Sequence, residues 1–234
     1  MAANGPMTVA AILVAAGSGQ RLGAAVPKAF VRVAGRTLLE HAVDRFAASA
    51  HVDSVVVVAP EARLVEAAAA GRVRAVAGGA TRQESVRCGL AALEPGTDLV
   101  LVHDVARPFV PESVIAAVVA ALAGGAAAVV PVMPVHDTVR QVSESGVLGG
   151  VVDRASLVAV QTPQGFRRDV LVAAHEQGAA GATDDAMLVE ALGHPVTAVP
   201  GADESFKITT PHDLARAEAV ALLSATTSVP GGTS

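Results

Sequence analysis

The sequence predicts an α/β fold: a Rossmann-like, mostly parallel sheet with helices on both faces and an arm of β-structure projecting from it. Three observations lead there. Apolar runs of strand length alternate with helical stretches along the chain, the rhythm of βαβ units. The apolar share of the 234 residues is 52% and rests mainly on Ala and Val. A glycine-rich loop follows directly on the first apolar run.

Taken in order, residues 9–15 are apolar throughout and read as a buried first strand. A helix over 37–48, a strand over 54–59, a helix over 61–69, a strand over 73–76, a helix over 82–93 and a strand over 98–102 follow. Residues 113–135 carry no charge and are long enough to span a bilayer. Gly124-Gly125 and Pro131 and Pro134 break that run, so it reads as a helix over 111–123, a turn, and a buried strand over 126–131. Residues 135–161 interrupt the rhythm. Apolar and polar positions alternate, and Ser143-Glu144-Ser145-Gly146 makes a turn, so this stretch reads as a projecting β-hairpin arm. Helices over 167–177 and 184–191, a strand over 196–199 and a helix over 211–222 complete one domain over 7–225. Residues 226–234 are small and Gly/Ser/Thr-rich, a flexible tail.

Composition excludes several classes. With 2% aromatics and neither Trp nor Tyr, there is no stacking platform for single-stranded nucleic acid. A net charge of −5 opposes a nucleic-acid or anionic-membrane partner. Cys88, the single cysteine, can form neither an internal disulfide nor a metal cluster, and reads as a small buried helix residue. No basic residue precedes Arg21, which removes the n-region of a signal peptide and makes the cytoplasm the expected location.

The glycine loop carries most of the chemistry. Gly17, Gly19 and Gly23 let backbone approach a ligand closely, and Arg21 and Lys28 add two cations. The spacing is neither of the common phosphate loops. Lys28 follows Pro27, and Ala29 stands where a Walker loop has its hydroxyl. Leu22 occupies the third glycine position of a dinucleotide fingerprint. The chemistry that fits is a nucleoside triphosphate. In a parallel sheet the ligand sits beyond the carboxyl ends of the strands. The glycine loop and His103-Asp104 both fall there.

The loop is similar to the A-A-G-x-G-x-R-x-G-x-x-x-P-K signature of nucleotidyltransferases that make nucleoside diphosphate sugars and alcohols. Further motifs follow in order: Gly-Gly-Ala-Thr-Arg-Gln-Glu-Ser-Val (78–86), Val-His-Asp-Val-Ala-Arg-Pro-Phe (102–109), Asp-Thr-Val (137–139), Val-Asp-Arg (152–154), Gln-Thr-Pro-Gln (161–164), Thr-Asp-Asp (183–185) and Phe-Lys-Ile-Thr (206–209). Together, over about residues 8–223, they resemble the 2-C-methyl-D-erythritol 4-phosphate cytidylyltransferase family of non-mevalonate isoprenoid synthesis.

The resemblance implies a reaction and a set of roles. A phosphate oxygen of methylerythritol phosphate attacks the α-phosphorus of CTP, and pyrophosphate leaves. A phosphate monoester needs no strong base, so catalysis rests on positioning and charge stabilisation. Arg21 and Lys28 would stabilise the crowded α-phosphate, with Ala15, Ala16, Gly17 and Gly19 lining the triphosphate through backbone N–H groups. Gly78, Gly79 and Ser85 would hold the cytosine, although Ser85 also fits a turn with a helix N-cap. Ala80 stands where the family usually has an acid. Asp104 and Ala106 would face CTP and Mg²⁺, the implied cofactor, itself held mostly by CTP phosphates. Arg107, Thr138, Thr162 and Thr183 would bind the acceptor, with Arg107 alternatively an ion-pair partner of Asp104. Lys207 would touch both phosphates. Arg154, on the arm, would act across the interface of a homodimer. Asp184-Asp185 fits helix N-terminal charge better than a metal site. His103 is assigned no role. The alternatives are a ribitol-5-phosphate cytidylyltransferase, which shares the loop, a guanylyl- or uridylyltransferase, and a non-catalytic nucleotide-binding module.

Overall fold

The computed structural model describes residues 7–17, 26–178 and 181–227, the last four of them as backbone. Its elements run β1 (Val9–Val14), β2 (Arg32–Val33), β3 (Arg36–Thr37), α1 (Leu38–Ala47), β4 (Ser54–Ala59), α2 (Leu64–Ala68), β5 (Arg74–Ala77), α3 (Arg82–Ala91), β6 (Leu99–Asp104), α4 (Glu112–Ala123), β7 (Ala128–Pro134), β8 (Val139–Val142), β9 (Leu148–Val152), β10 (Val158–Val160), β11 (Gln164–Arg167), α5 (Arg168–Gln177), α6 (Asp185–Ala191), β12 (Val196–Pro200) and α7 (Pro211–Thr227). The expected tail from residue 226 therefore begins inside α7. Residues 228–234 lie outside the described residues, as do Gly19, Arg21 and Gly23 of the glycine loop.

The main sheet is mostly parallel. β5, β4, β1 and β6 lie side by side in parallel, and β12 pairs parallel with β7. Successive side chains in these strands point to opposite faces. On one face Ala11, Leu13 and Val57 join Leu39, Val43 and Phe46 of α1 and Val114, Ile115 and Val118 of α4. On the other, Ile12, Val58 and Val100 join Val86 of α3, Leu171 of α5 and Leu188 of α6. Because β1, β4 and β6 are buried on both sides, their sequences are apolar runs rather than alternating ones.

The sheet is mostly parallel, as expected, and contains one interposed strand that the sequence reading did not include. β11 lies between β6 and β7 and runs antiparallel to both. β10 extends the same line along β7, where Val160 faces Val132 and Gly165 faces Val129. Five residues on one strand thus span three on its neighbour. The excess forms a bulge at residues 161–163, which turns the side chains there toward the end of β6. Pro163 and Gly165 hid this strand from a reading by propensity.

Within the arm expected over 135–161, β8 pairs with β9 in a hairpin closed by a turn in which Gly146 has φ 80°, whereas β10 belongs to the main sheet. The hairpin stands apart from the main sheet, and Val142, Leu148 and Val151 on it are exposed. No described helix is long and apolar enough to cross a membrane.

The chain runs from β1 outward to β4 and β5, then returns to β6 on the other side of β1. That reversal opens a crevice beyond the carboxyl ends of β1 and β6, the place where open α/β sheets bind ligands.

Candidate active site

A cavity of about 720 Å³ occupies this crevice. Its wall includes Ala15, Ala16, Gly17, Lys28, Gly79, Ser85, Asp104, Ala106 and Lys207, nine of the residues singled out in the sequence. Val14 of β1 lies in register with Asp104 of β6, so the loop after one strand and the carboxylate ending the other are neighbours by construction. Among the described lining residues the cations are Lys28, Arg82 and Lys207 against the single carboxylate of Asp104. An acidic protein has concentrated positive charge here, as an anionic ligand requires.

Local anchors aim the two lysines. Pro27 leads into a 3-10 turn, Lys28–Phe30, whose Ala29 and Phe30 are buried, leaving Lys28 at the cavity wall. Lys207 is flanked by Phe206, covered by the Arg216 guanidinium at 4.0 Å, and by buried Ile208, whose N–H donates to the Ala106 carbonyl at 2.8 Å. Its ammonium meets Asp104 Oδ2 at 2.6 Å.

Asp104 is held from three directions. Arg82 Nε approaches its Oδ1 at 3.3 Å, and Lys207 takes Oδ2. Its N–H donates to Thr162 Oγ1 at 3.2 Å. Burial alone would raise its carboxyl, but Arg82 and Lys207 outweigh that and hold it far below the usual carboxylate range.

Thr162 links Asp104 to His103, whose Nδ1 lies 3.0 Å from Thr162 Oγ1 and whose Nε2 lies 3.0 Å from the Arg107 carbonyl. A carbonyl only accepts, so Nε2 carries the proton and Nδ1 accepts from the threonine hydroxyl. Burial pushes the imidazole down to about 4, so it is neutral at physiological pH. His103 is thus a part of the wall behind Asp104.

Several backbone roles differ from expectation. Ala15 lines the cavity, but its N–H donates to the Val58 carbonyl at 2.8 Å and is committed to the sheet rather than to phosphate. The Gly78 N–H likewise donates to Ala59, and Gly79 N–H donates to Ser85 Oγ at 3.2 Å. Ser85 in turn donates to the Thr81 carbonyl, so its hydroxyl shapes the loop. The N-cap of α3 is Thr81, in a capping box with Glu84, and not Ser85. Gly78 is absent from the wall, and glycine is required there for closeness: a Cβ would lie 2.7 Å from that of Ala16.

The expected acceptor residues are not gathered at the cavity. Thr162 is buried behind Asp104. Arg107 makes no ion pair with Asp104; it donates to the Ser205 carbonyl at 2.7 Å and the Val160 carbonyl at 3.2 Å, strapping β10 to the Lys207 segment. Thr138 and Thr183 are exposed, the latter donating to Met187 Sδ. Arg154 is exposed beyond β9, donates to the His136 carbonyl, and borders a groove with Val132, Pro134 and Val135.

Arg82 is the lining residue the sequence reading passed over, together with Thr209. A cation in the first turn of a helix opposes the helix dipole. That was the available signal: an arginine there needs carboxylate partners, and it has Asp104 and Asp185. As a metal site, the cavity offers the one carboxylate of Asp104, with both oxygens already engaged, and among the described residues no group of three or more His, Cys, Asp or Glu is placed to hold an ion. Such a donor set fits Mg²⁺ only when phosphate oxygens and water complete its shell.

Comparison with known proteins narrows the chemistry. Residues 9–222 match the family IspD, 2-C-methyl-D-erythritol 4-phosphate cytidylyltransferase. The chain is 52% identical over 222 residues to the 2-C-methyl-D-erythritol 4-phosphate cytidylyltransferase of Saccharopolyspora erythraea, covering 92% of this chain and 99% of that one. It is 50% identical over 226 residues to a bifunctional IspD/IspF enzyme of Clavibacter michiganensis; 93% of this chain spans 55% of that relative's length. The crystal structure of the Thermus thermophilus 2-C-methyl-D-erythritol 4-phosphate cytidylyltransferase superposes with a TM-score of 0.77 at 42% identity, over 92% of this chain and all of that one.

Proposed function

The chain belongs to the 2-C-methyl-D-erythritol 4-phosphate cytidylyltransferase family, and we propose that the cavity beyond β1 and β6 is where it carries out that family's reaction. It is a nucleotidyltransferase of isoprenoid precursor synthesis, joining CTP and 2-C-methyl-D-erythritol 4-phosphate to give CDP-methylerythritol and pyrophosphate. The observation that carries the assignment to this cavity is the convergence of Lys28, Lys207 and the loop Ala15–Gly17 around it.

The bond that forms joins an acceptor phosphate oxygen to the CTP α-phosphorus; the bond that breaks is that between the α-phosphorus and the oxygen bridging to the β-phosphate. Lys28 and Lys207 stabilise the negative charge gathered on the α-phosphate between these two events. We infer the same role for Arg21 from the family motif alone, since it lies outside the described residues. Asp104 keeps the Lys207 ammonium at one point while the phosphates arrive, the positioning on which an in-line displacement depends. Gly79 and Ser85 form the bed for the cytosine. Asp104 would border a divalent cation such as Mg²⁺, which would be held mostly by CTP phosphates and would supply neutralisation of triphosphate charge.

The acceptor pocket is completed by a second copy of the chain. Thr138, Arg154 and Thr183 stand away from the cavity of their own protomer, and the arm that carries Arg154 exposes Val142, Leu148 and Val151. An apolar surface of this kind is covered in a homodimer, which brings Arg154 to the partner's site.

The test is Mg²⁺-dependent pyrophosphate release from CTP, with methylerythritol phosphate and ribitol phosphate as separate acceptors. Turnover with the first alone is expected. Lys28→Ala and Lys207→Ala are each expected to lower kcat about 10²–10³-fold, the loss typical of one preorganised charge-stabilising donor. Turnover with ribitol phosphate alone moves the acceptor assignment; full activity in both lysine variants moves the active site elsewhere.

A further inference from the structure

The cavity wall continues inward as an unbroken line of ion pairs and a hydrogen bond. Lys207 meets Asp104 Oδ2 at 2.6 Å, and Asp104 Oδ1 meets Arg82 Nε at 3.3 Å. Arg82 Nη1 meets Asp185 Oδ2 at 2.8 Å, and Asp185 Oδ1 lies 3.0 Å from His175 Nε2. Five residues from β6, α3, α5, α6 and the segment before α7 are joined, with each carboxylate between two nitrogen groups. Asp185 is 1% exposed and His175 2%. A carboxylate so deeply buried is costly unless it is paired; Asp185 is paired with Arg82, and the backbones on either side are pinned. Gln164 Oε1 accepts from the N–H groups of Asp185 and Ala186, pinning the start of α6 to β11. Arg87 Nε donates to the His175 carbonyl at 3.0 Å, pinning α5 to α3.

Arg82 is the link that matters. Asp185 grips its terminal Nη1 from inside, so its Nε is presented to Asp104 at a set angle, which fixes where Oδ2 receives Lys207. Without the Asp185 charge, the guanidinium has one carboxylate left and turns wholly onto Asp104. The Asp104 carboxyl then rotates, and the Lys207 ammonium moves with it. We propose that Asp185, outside the cavity and anchored by His175, is a positioning residue for Lys207, acting through Arg82 and Asp104. The proposal rests on the assignment of this cavity as the active site.

The experiment is a double-mutant cycle on kcat with Asp185→Asn, Arg82→Gln and the pair, each checked for folding by circular dichroism, with Lys207→Ala alongside. Asp185→Asn is expected to lower kcat about 10- to 100-fold, the range in which a displacement of about 1 Å costs rate. KM for CTP should stay within about threefold, because the loss falls in the transition state. In the Arg82→Gln background the same change should cost less than about twofold, since its route to the site is already cut. A folded Asp185→Asn enzyme with wild-type kcat overturns the proposal, as does a full additional loss in the Arg82→Gln background. If Lys207→Ala is itself harmless, the active-site assignment has failed rather than the relay. Should Asp185→Asn not fold, His175→Gln, which loosens the anchor but keeps the carboxylate, goes through the same cycle. A several-fold fall in kcat is then expected, and an unchanged kcat overturns the proposal.

Discussion

His103 is fully buried, with its ring 4.7 Å from that of Phe46 and both nitrogens in hydrogen bonds. Burial holds its pKa at about 4, while the unfolded chain protonates it near the ordinary 6.5. Between those values the unfolded state binds the extra proton. Stability is therefore undiminished above about pH 6.5 and falls as the pH drops toward 4, by about 3 kcal/mol in all. Urea unfolding at pH 7.5 and pH 5 checks this. The wild-type loss between the two should shrink in His103→Gln, and an equal loss in both proteins means that the histidine is not its source. At this scale much of the site was legible. Lys28, Asp104 and Lys207 sit in short motifs whose neighbours aim them, so the local sequence reveals them. Thr162 and Arg107, expected at the acceptor, brace a wall in this structure, and a hydroxyl or guanidinium that does so looks, in sequence, like one that faces a ligand. Arg82 was passed over because its inner partner, Asp185, belongs to a helix far along the chain.

Among the elements, β11 shows what the pattern conceals. β1, β4 and β6 are long and apolar because both faces are covered, and the sequence announces them. β11 has four residues, begins after Pro163 and contains Gly165. Its place is dictated by what surrounds it: a Cβ on Gly165 would lie 2.4 Å from Val118 and 2.8 Å from Leu122, so α4 packs directly on the strand's backbone. Gly165→Ala should therefore cost about 1–3 kcal/mol through overpacking. Thermal denaturation measures it, and a variant as stable as the wild type shows that α4 can withdraw without loss. The bulge before β11 also explains the Gln-Thr-Pro-Gln motif by position. Gln161 holds Ala202 through both its amide groups, Thr162 supports Asp104, and Gln164 clamps α6.

For the molecule as a whole, the arm is the feature that leaves apolar side chains uncovered in one chain. Val142 and Leu148 are cross-strand partners, both more than half exposed. If they are covered by a second copy, Val142→Ser with Leu148→Ser should yield a species of half the wild-type mass by light scattering, with kcat reduced because Arg154 no longer reaches its target. A wild-type enzyme that is already monomeric and fully active at micromolar concentration removes the dimer from the mechanism. The interposed strand has one more consequence, for synthesis. A chain that has left the ribosome only as far as β9 already contains the glycine loop, Lys28 and Asp104. Its β6 has no β11 beside it, Asp104 has neither Thr162 nor Lys207, and Arg82 has no Asp185. Nucleotide stabilises only the state that binds it, so a chain that lacks Lys207 and the braces of Asp104 and Arg82 should gain less from CTP than the whole chain. The expected result is that CTP slows proteolysis of the full chain more than that of one ending at β9, and equal protection of both would show that β11 and Lys207 add nothing to the grip on nucleotide.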